Sequence, residues 1–379
     1  MYIKRLVEVK IEEHLFKGKV IILYGARQVG KTTLVKDLLG RLKIESGYFN
    51  CDDGDVRRLI EDGTTSTQLK QVIGSKKMVV IDEAQRIKEI GLKLKLLTDN
   101  FPEQQLLVTG SSSFELSDKV KEPLTGRNFS FWLYPLAVPE LVSSFGSLEM
   151  SRLLSSLLVY GSYPAVVTAE SLDQKREIVK LLASDYLFKD VLNFYGARGS
   201  DIVRRLLEAL ALQMGSEVSV VELSNLVGIS RVTVESYLDV LEKMFVIFQL
   251  RPFSRNLRKE IGKSRKIYFY DLGIRNALIN NFNPLNLRSD QGQMWECFVT
   301  AEMMKKQVSI LEKNNLYFWR TYDQQEVDLV EDKGGKLYAT EIKWNGKGKQ
   351  LPVGWRKAYP EAVNRVVDRE NYLEFLQAA

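Results

Sequence analysis

Short, almost uninterrupted apolar runs mark the first third of the chain. They cover Val20–Tyr24, Met78–Ile81 and Gln105–Thr109. Strands buried on both faces of a parallel sheet have this pattern, because neither face needs polar side chains. After Pro139 the apolar residues recur at helical spacing, which predicts helices over 149–159, 171–194 and 201–214. The pattern predicts an α/β fold in which a parallel sheet is followed by a helical subdomain.

A helix-turn-helix pattern follows within residues 218–245. A short helix is predicted over Val220–Leu226, Gly228 breaks it, and Ser230 caps a second helix over Arg231–Met244. Two strands, Val246–Leu250 and Lys266–Tyr270, flank the next loop. Two helices followed by such a strand pair predict a winged helix.

Composition narrows the functional classes. No apolar run reaches the roughly 18 residues that span a bilayer, so no membrane partner is expected. The two cysteines, Cys51 and Cys297, exclude a disulfide framework and suit a reducing, cytoplasmic location. His14 is the single histidine, which excludes mechanisms that need several histidines. The net charge of +6 permits nucleic-acid binding but does not require it.

A glycine-rich loop connects the first apolar run to a helix that begins at Lys31. Its sequence has the form G-x-x-x-x-G-K-T. Such a loop directs backbone N–H groups at a phosphate, and the helix N-terminus adds a partial positive charge. We therefore expect ATP as ligand, with Lys31 at the β- and γ-phosphates and Thr32 on Mg²⁺. The predicted nucleotide-binding residues are Gly25, Ala26, Arg27, Gln28, Val29, Gly30, Lys31, Thr32, Thr33 and Thr109.

Acidic residues end the second apolar run at Asp82 and Glu83. Asp82 is expected to hold Mg²⁺, and Glu83 to orient or deprotonate the attacking water. The third run ends at Thr109 and a serine-rich turn; Thr109 or Ser111 is a candidate sensor of the γ-phosphate, and a plain polar turn is the equal alternative.

Arg127 follows the third run and is a candidate finger for a neighbouring subunit's nucleotide, which would require a homo-oligomer. A salt-bridged surface arginine is the alternative.

These segments resemble a known ATPase family. The loop at Gly25–Thr32, the strand ending in Ile81-Asp-Glu-Ala-Gln, the Thr109-Gly-Ser-Ser turn and Leu124-Thr-Gly-Arg127 are similar to AAA+ ATPases of the AAA_14 family. The resemblance implies a P-loop core of the AAA+ class, Mg²⁺-ATP as ligand and a second module of the DUF4143 type. The chain departs from the family pattern at Ala26, where proline is usual, and alanine fits that turn position.

A second set of ionisable residues lies in the last third. Glu341 and Lys343 are two residues apart and so share one face of a strand. Asp328 ends a preceding strand at hairpin distance, and Glu296 lies on a predicted helix upstream. Three carboxylates and a lysine on one patch can bind a divalent metal and activate water against a phosphodiester.

Glu296, Asp328, Glu341 and Lys343 resemble the core of a PD-(D/E)XK nuclease, a restriction-endonuclease-like α/β domain. The alternatives are a binding scaffold that has kept the fold, or unrelated charges on an exposed strand.

Charge divides the predicted winged helix into two parts. The second helix carries Arg231 and Lys243 against Glu235, Asp239 and Glu242, a net of −1 that repels phosphates. The segment 251–266 has a net of +6, from Arg251, Arg255, Arg258, Lys259, Lys263, Arg265 and Lys266 against Glu260. This basic wing is the better DNA contact, with Arg231, Thr233 and Ser236 at the start of the helix. A plain protein-interaction module is the alternative.

The predicted division is an ATPase core at 1–139, a helical subdomain at 140–215, a winged helix at 216–270 and a nuclease-like domain at 271–379. The first functional hypothesis is an ATPase that controls a DNA-engaging, nucleolytic C-terminal module. The second is a nucleotide-dependent switch that binds a protein or DNA partner without cleaving it. A transcriptional regulator is the third, and the acidic helix argues against it.

Overall fold

The computed structural model describes residues 2–110, 122–184, 200–254, 265–308, 314–347 and 349–378. The chain forms two compact units. The first contains Met1–Tyr134 with the short segments Lys243–Phe245 and Val308–Glu312, and the second contains the remainder.

The first unit is built on a five-stranded sheet in which every neighbouring pair is parallel. Its strands are β1 Val20–Tyr24, β2 Ser46–Asn50, β3 Met78–Asp82, β4 Gln105–Gly110 and β5 Asn128–Trp132. The spatial order is β2-β3-β4-β1-β5. All residues of β1, β3 and β4 are buried, as their apolar sequences require, and these three strands occupy the centre of the sheet.

The described helices of this unit are α1 Leu6–His14, α2 Lys31–Leu42, α3 Gly54–Asp62, α4 Ser66–Ile73 and α5 Ile90–Asn100, and a 3₁₀ turn covers Ala84–Arg86. The helix α1 precedes β1, and the other four connect parallel strands. The helix α2 packs Leu34, Val35 and Leu38 into the core, and its N-terminus follows β1 after the glycine-rich loop. The carboxyl ends of β1, β3 and β4 therefore lie at the same edge of the sheet as the N-terminus of α2.

The second unit begins with helices. They are α6 Val138–Phe145, α7 Ser147–Tyr160, α8 Pro164–Val167, α9 Leu172–Leu181, α10 Ser200–Leu212, α11 Val220–Val227, α12 Arg231–Lys243, α13 Leu272–Leu278, α14 Gln291–Lys305, α15 Val353–Ala358 and α16 Tyr372–Ala378. A 3₁₀ turn covers Leu285–Leu287. The predicted helix over 171–194 is observed through Leu181, and its portion beyond 184 lies outside the described residues.

The strands of the second unit form one seven-stranded mixed sheet. Its strands are β6 Glu217–Val218, β7 Ile247–Pro252, β8 Arg265–Phe269, β9 Asn315–Arg320, β10 Glu326–Lys333, β11 Lys336–Ile342 and β12 Val363–Val367, in the order β12-β11-β10-β9-β7-β8-β6. The predicted hairpin between Asp328 and Glu341 is the antiparallel pair β10–β11. The helices α11 and α12 are followed by the antiparallel pair β7–β8, and β7 continues the sheet by pairing in parallel with β9.

Aromatic side chains fill the core on one side of this sheet. Trp355 is fully buried and meets Trp319 edge to face at 5.4 Å between ring centroids, a preferred geometry for aromatic pairs. Val327, Val330, Ala339 and Leu351 are the other buried members of this cluster. The predicted α/β class with a parallel P-loop sheet is confirmed. The second unit contains most of the three segments that were predicted as separate helical, winged-helix and nuclease-like domains.

Candidate functional site

The glycine-rich loop is a tight turn between β1 and α2. Gly25 has no room for a side chain, because a Cβ there would lie 2.4 Å from the carbonyl oxygen of Leu133. Gly30 and Gln28 have positive φ angles of 99° and 60°, so the chain doubles back just before the helix begins. This geometry presents successive backbone N–H groups, together with the N-terminus of α2, at the sheet edge.

The side chain of Lys31 folds back over this loop. Its Nζ donates to the carbonyl oxygens of Gly25 and Ala26, each at 2.9 Å, and the side chain is buried. The ammonium therefore lies against the backbone of the loop.

A buried arginine from the N-terminal segment supports the loop from behind. The guanidinium of Arg5 donates to the carbonyl oxygen of Val29 at 2.7 Å and to that of Tyr134 at 2.5 Å. Glu8, also buried, accepts a hydrogen bond from the backbone N–H of Arg5 and pairs with Arg41 of α2. Arg5 thus connects the glycine-rich loop to the segment that follows β5. This role was not predicted from the sequence.

Asp82 is the centre of a hydroxyl cluster at the carboxyl end of β3. Thr32 donates to its Oδ2 at 2.9 Å, Tyr48 donates to the same oxygen, and Thr109 donates to Oδ1. The strand order explains why Tyr48 and Thr109 both contact Asp82. The strand β3 lies between β2, which carries Tyr48, and β4, which carries Thr109. Burial and the hydrogen bond to Asp82 raise the pKa of Tyr48, so its hydroxyl stays protonated as a donor. Tyr48 was not predicted from the sequence.

Glu83 begins the turn after β3 in a left-handed conformation, with φ 55°. Its backbone N–H donates to the hydroxyl of Thr109 at 3.1 Å, and its carboxylate accepts from Gln85 at 2.6 Å. The strand end thus holds Asp82 and Glu83 in different directions, with Thr109 contacting both residues.

One further predicted residue, Arg127, does not lie at this cluster. Arg127 precedes β5, and its carbonyl oxygen accepts from the N–H of Val20 at the amino end of β1, opposite to the loop. Its guanidinium pairs with Asp99 at 2.6 Å, and both side chains are 40% exposed. A role on its own chain's nucleotide is therefore excluded, and a role in trans stays a prediction. Ser111 lies outside the described residues.

The second set of predicted residues converges in the second unit. The pairing of Leu329 with Thr340 places Asp328 and Glu341 at neighbouring positions of the β10–β11 hairpin. Lys343 donates to Asp328 at 2.9 Å and pairs with Glu341 at 2.8 Å. The backbone N–H of Ile342 also donates to Asp328, at 2.7 Å. Asp328, Glu341 and Lys343 thus form one connected group.

Glu296 reaches this group from α14. Its Oε1 accepts from Lys266 at 2.9 Å and from Tyr268 at 2.6 Å, both on β8. Lys266 also pairs with Glu326 at the start of β10. One carboxylate oxygen from each of Glu296, Glu326 and Asp328 lies within 4.8 Å of the others, close enough to share a metal ion. Glu326, Lys266 and Tyr268 were not predicted. The sequence could have indicated Glu326, because it precedes Asp328 by two residues and side chains two apart share one face of a strand.

Burial and mutual repulsion dominate the electrostatics of this acidic cluster, which we define as Glu296, Glu326, Asp328 and Glu341. Burial, followed by the charge of Asp328, raises the pKa of Glu296 to about 7 and also raises the pKa of Glu341. Burial opposes the charge on Lys266 and Lys343, but the neighbouring carboxylates outweigh it and raise the pKa of both lysines.

The acidic cluster fits a divalent cation by its donor chemistry. Within the described residues, Oε2 of Glu341 is buried and has no hydrogen-bond partner, a costly arrangement for a carboxylate oxygen. Carboxylate oxygens are the ligands that Mg²⁺ and Mn²⁺ prefer. Four carboxylates against the two lysines leave a formal charge of −2, which one divalent ion would neutralise.

The basic wing is described only at its ends. Arg255, Arg258, Lys259, Glu260 and Lys263 lie outside the described residues. At the described end, Arg265 makes a two-pronged contact with Glu235 of α12, at 2.9 and 2.6 Å. Lys266 is buried in the acidic cluster, so neither of these two cations is a free surface charge. Arg231 is exposed at the start of α12.

Among the described residues, no helix is both long enough and apolar enough to span a lipid bilayer.

Comparison with protein families divides the chain into three parts. Residues 17–142 match the family AAA_14, described as an AAA domain. Residues 291–366 match DUF4143 and residues 151–285 match DUF8612, both described as domains of unknown function. The predicted resemblance to AAA_14 with a DUF4143 module is confirmed.

Similar proteins cover most of the chain. An uncharacterized protein of Mycobacterium tuberculosis is 29% identical over 90% of this chain and 74% of its own length. An uncharacterized protein of Methanocaldococcus jannaschii, MJ1544, is 23% identical over 95% of this chain and 82% of its own length. Among solved structures, a Walker-type ATPase of Pyrococcus abyssi covers 73% of this chain and 96% of its own, with a TM-score of 0.51 at 16% identity, which supports the fold.

Proposed function

We propose that the AAA domain at residues 17–142 hydrolyses Mg²⁺-ATP and that this hydrolysis controls a metal-dependent centre in the second unit that engages and cleaves nucleic acid. The family match supports a nucleotide-binding ATPase domain. The observation that carries the hydrolytic proposal is the junction of Thr32 and Asp82 at 2.9 Å, because it joins the phosphate-binding loop to the acidic strand end.

Each residue of this junction has a proposed task. The loop from Gly25 to Thr32 holds the phosphates, and Lys31 neutralises charge on the transferred group. Thr32 and Asp82 supply hard oxygen ligands that suit Mg²⁺, an ion that neutralises phosphate charge when bound. Glu83 would orient the attacking water and accept its proton, and Thr109 holds Asp82 and the backbone of Glu83 in place through its hydroxyl.

The acidic cluster supports the second part of the proposal. Glu296, Glu326 and Asp328 would hold a divalent ion, with Glu341 as a fourth carboxylate. Such an ion polarises a phosphodiester and lowers the pKa of water. Lys343, held by Asp328 and Glu341, is placed to orient a water molecule and to offset charge that develops on the phosphate.

DNA is the proposed partner because its phosphates would meet both a bound cation and the surrounding positive charge. The proposed contacts are the exposed Arg231 at the start of α12 and the basic wing 251–266 without Arg265 and Lys266, which pair with carboxylates of their own chain. Non-specific affinity of this kind falls steeply with salt concentration.

A cleavage assay tests the proposal. The full chain is incubated with supercoiled, linear, branched and single-stranded DNA and Mg²⁺ or Mn²⁺, with and without ATP. Cleavage by the wild type that is lost in Asp328→Asn but kept in the exposed control Asp323→Asn supports the nuclease. If Glu83→Gln abolishes ATP turnover and its DNA cleavage no longer responds to ATP, the result supports control of cleavage by ATP hydrolysis.

One observation favours a second candidate function, a nucleotide-dependent switch that binds its partner without cleaving it. Lys266 is buried between Glu296 and Glu326 and pairs with both, so part of the acidic cluster is already neutralised by the protein's own cation. DNA binding that ATP modulates, without cleavage under any metal, would favour the switch.

ATP turnover per chain that rises with protein concentration and is lost in Arg127→Ala would support a homo-oligomer in which Arg127 acts on a neighbouring subunit's nucleotide.

A further inference from the structure

A cavity of about 680 Å³ lies within the second unit, beside the elements that carry the acidic cluster. Its walls include Tyr160 at the end of α7, Phe282, Gln291 at the start of α14 and Trp344. Trp344 directly follows Lys343, and α14 carries Glu296, so the cavity and the acidic cluster share two structural elements. The volume is within the roughly 300–1,000 Å³ of typical small-ligand sites.

Two of the aromatic rings in these walls have an arginine over the ring. Tyr160 and Phe282 are nearly parallel, with an interplanar angle of 14° and 5.7 Å between ring centroids. Arg176 lies 5.5 Å from the centroid of Phe282. The guanidinium of Arg369, another lining residue, lies 4.5 Å from the centroid of the Trp344 ring and also donates to the backbone carbonyl of Trp344 and to Asn345.

This combination matches the chemistry of an unpaired nucleotide. A base stacks on aromatic rings and on guanidinium planes, and its phosphate is attracted by arginine. The side-chain amide nitrogen of Gln291 donates to the carbonyl oxygen of Leu285, which leaves its amide oxygen and second N–H for the edge of a base. Arg152 on the rim adds positive charge, although Glu149 pairs with it at 3.2 Å.

We propose that this cavity binds an unpaired nucleotide of a single-stranded nucleic acid, with the base against Phe282 and Tyr160 and the adjoining phosphate near Arg369. The inference rests on the proposed function, because it names the substrate class of the neighbouring acidic cluster as a strand with at least one unpaired base.

Fluorescence anisotropy of the full chain in EDTA tests the cavity without cleavage. The probes are a labelled oligothymidylate of twelve nucleotides and an abasic strand of the same length. The variants Phe282→Leu and Arg369→Gln keep side-chain bulk. The matched controls are Tyr322→Leu, which removes an aromatic ring that is 98% exposed, and Arg356→Gln, which removes an exposed arginine of the same unit.

We expect Phe282→Leu to weaken oligothymidylate binding about tenfold, as stacking energies imply, and to leave binding of the abasic strand unchanged. Arg369→Gln should weaken both probes, and the two control variants neither. Equal weakening of both probes by Phe282→Leu would indicate a structural role and overturn the inference.

Wild-type binding of oligothymidylate that Phe282→Leu does not alter would overturn the cavity assignment alone. Absence of affinity for both probes in the wild type would overturn the nucleic-acid part of the proposed function as well. A thermal melt of each variant separates loss of binding from loss of folding.

Discussion

Replacement of Arg5 by methionine tests whether the phosphate-binding loop is held in shape from behind. Methionine keeps the apolar stem of the side chain but lacks the guanidinium, so the hydrogen bonds to Val29 at 2.7 Å and to Tyr134 at 2.5 Å are lost. Arg5 is only 4% exposed, so water has little access to the two carbonyl oxygens that remain.

The expected cost follows from these contacts. Each buried acceptor left without a donor costs roughly 1–3 kcal/mol, so the free energy of unfolding should fall by about 2–6 kcal/mol. Because Val29 belongs to the loop, part of this cost should appear as a looser loop in the folded protein. If the binding-competent loop falls to about one molecule in ten, the apparent Kd for ATP rises tenfold.

Thermal melts and titration with a fluorescent ATP analogue in Mg²⁺ measure the two effects. The control is Arg58→Met, the same chemical change at an exposed position of the first unit, which should stay within about 0.5 kcal/mol of the wild type. An Arg5→Met variant with the melting temperature and ATP affinity of the wild type would refute the supporting role.

Three other substitutions give direct tests. Thr109→Val keeps the shape of the side chain but removes the donor to Asp82, and kcat for ATP hydrolysis should fall about 10- to 100-fold; a change under about twofold would contradict its role. Glu341→Gln should weaken Mn²⁺ binding by about tenfold or more in electron paramagnetic resonance titrations, whereas the exposed control Glu361→Gln should not; equal affinities would exclude Glu341 as a ligand. Burial lowers the pKa of Lys306 to about 8, so the folded state binds fewer protons than the unfolded state between pH 8 and the ordinary value of 10.5, and stability from this group should rise with pH across that window. Urea denaturation of Lys306→Met should show a flatter rise, and an unchanged pH profile would contradict the assignment.

The central strands of the first unit were predictable because their sequences leave little choice. The residues of β1, β3 and β4 are all buried, and apolar runs fit positions covered on both faces. The strands β2 and β5 were not predicted. Both lie at sheet edges and are partly exposed, and their sequences, SGYFN and NFSFW, mix polar residues with aromatic ones. Partly exposed strands tolerate both polar and apolar residues, so the hydrophobic pattern of β2 and β5 is too weak to predict them.

The candidate sites show the same division between local and tertiary information. The loop from Gly25 to Thr32 is contiguous, so its chemistry is visible in the sequence. Tyr48 reaches Asp82 only because β2 and β3 are neighbours, and no local pattern signals that contact. Lys266 likewise enters the acidic cluster because β8 lies beside α14 in the fold, whereas the sequence places it in a basic surface wing.

Isothermal titration of the full chain with ATP tests the central claim most directly, by comparing the wild type with Lys31→Ala in Mg²⁺ and in EDTA. We expect one saturable binding heat for the wild type that requires Mg²⁺ and disappears in Lys31→Ala, because the loop and its ammonium hold the triphosphate. No heat from the wild type, or the same heat from both proteins, would contradict the assignment of this loop as the nucleotide site.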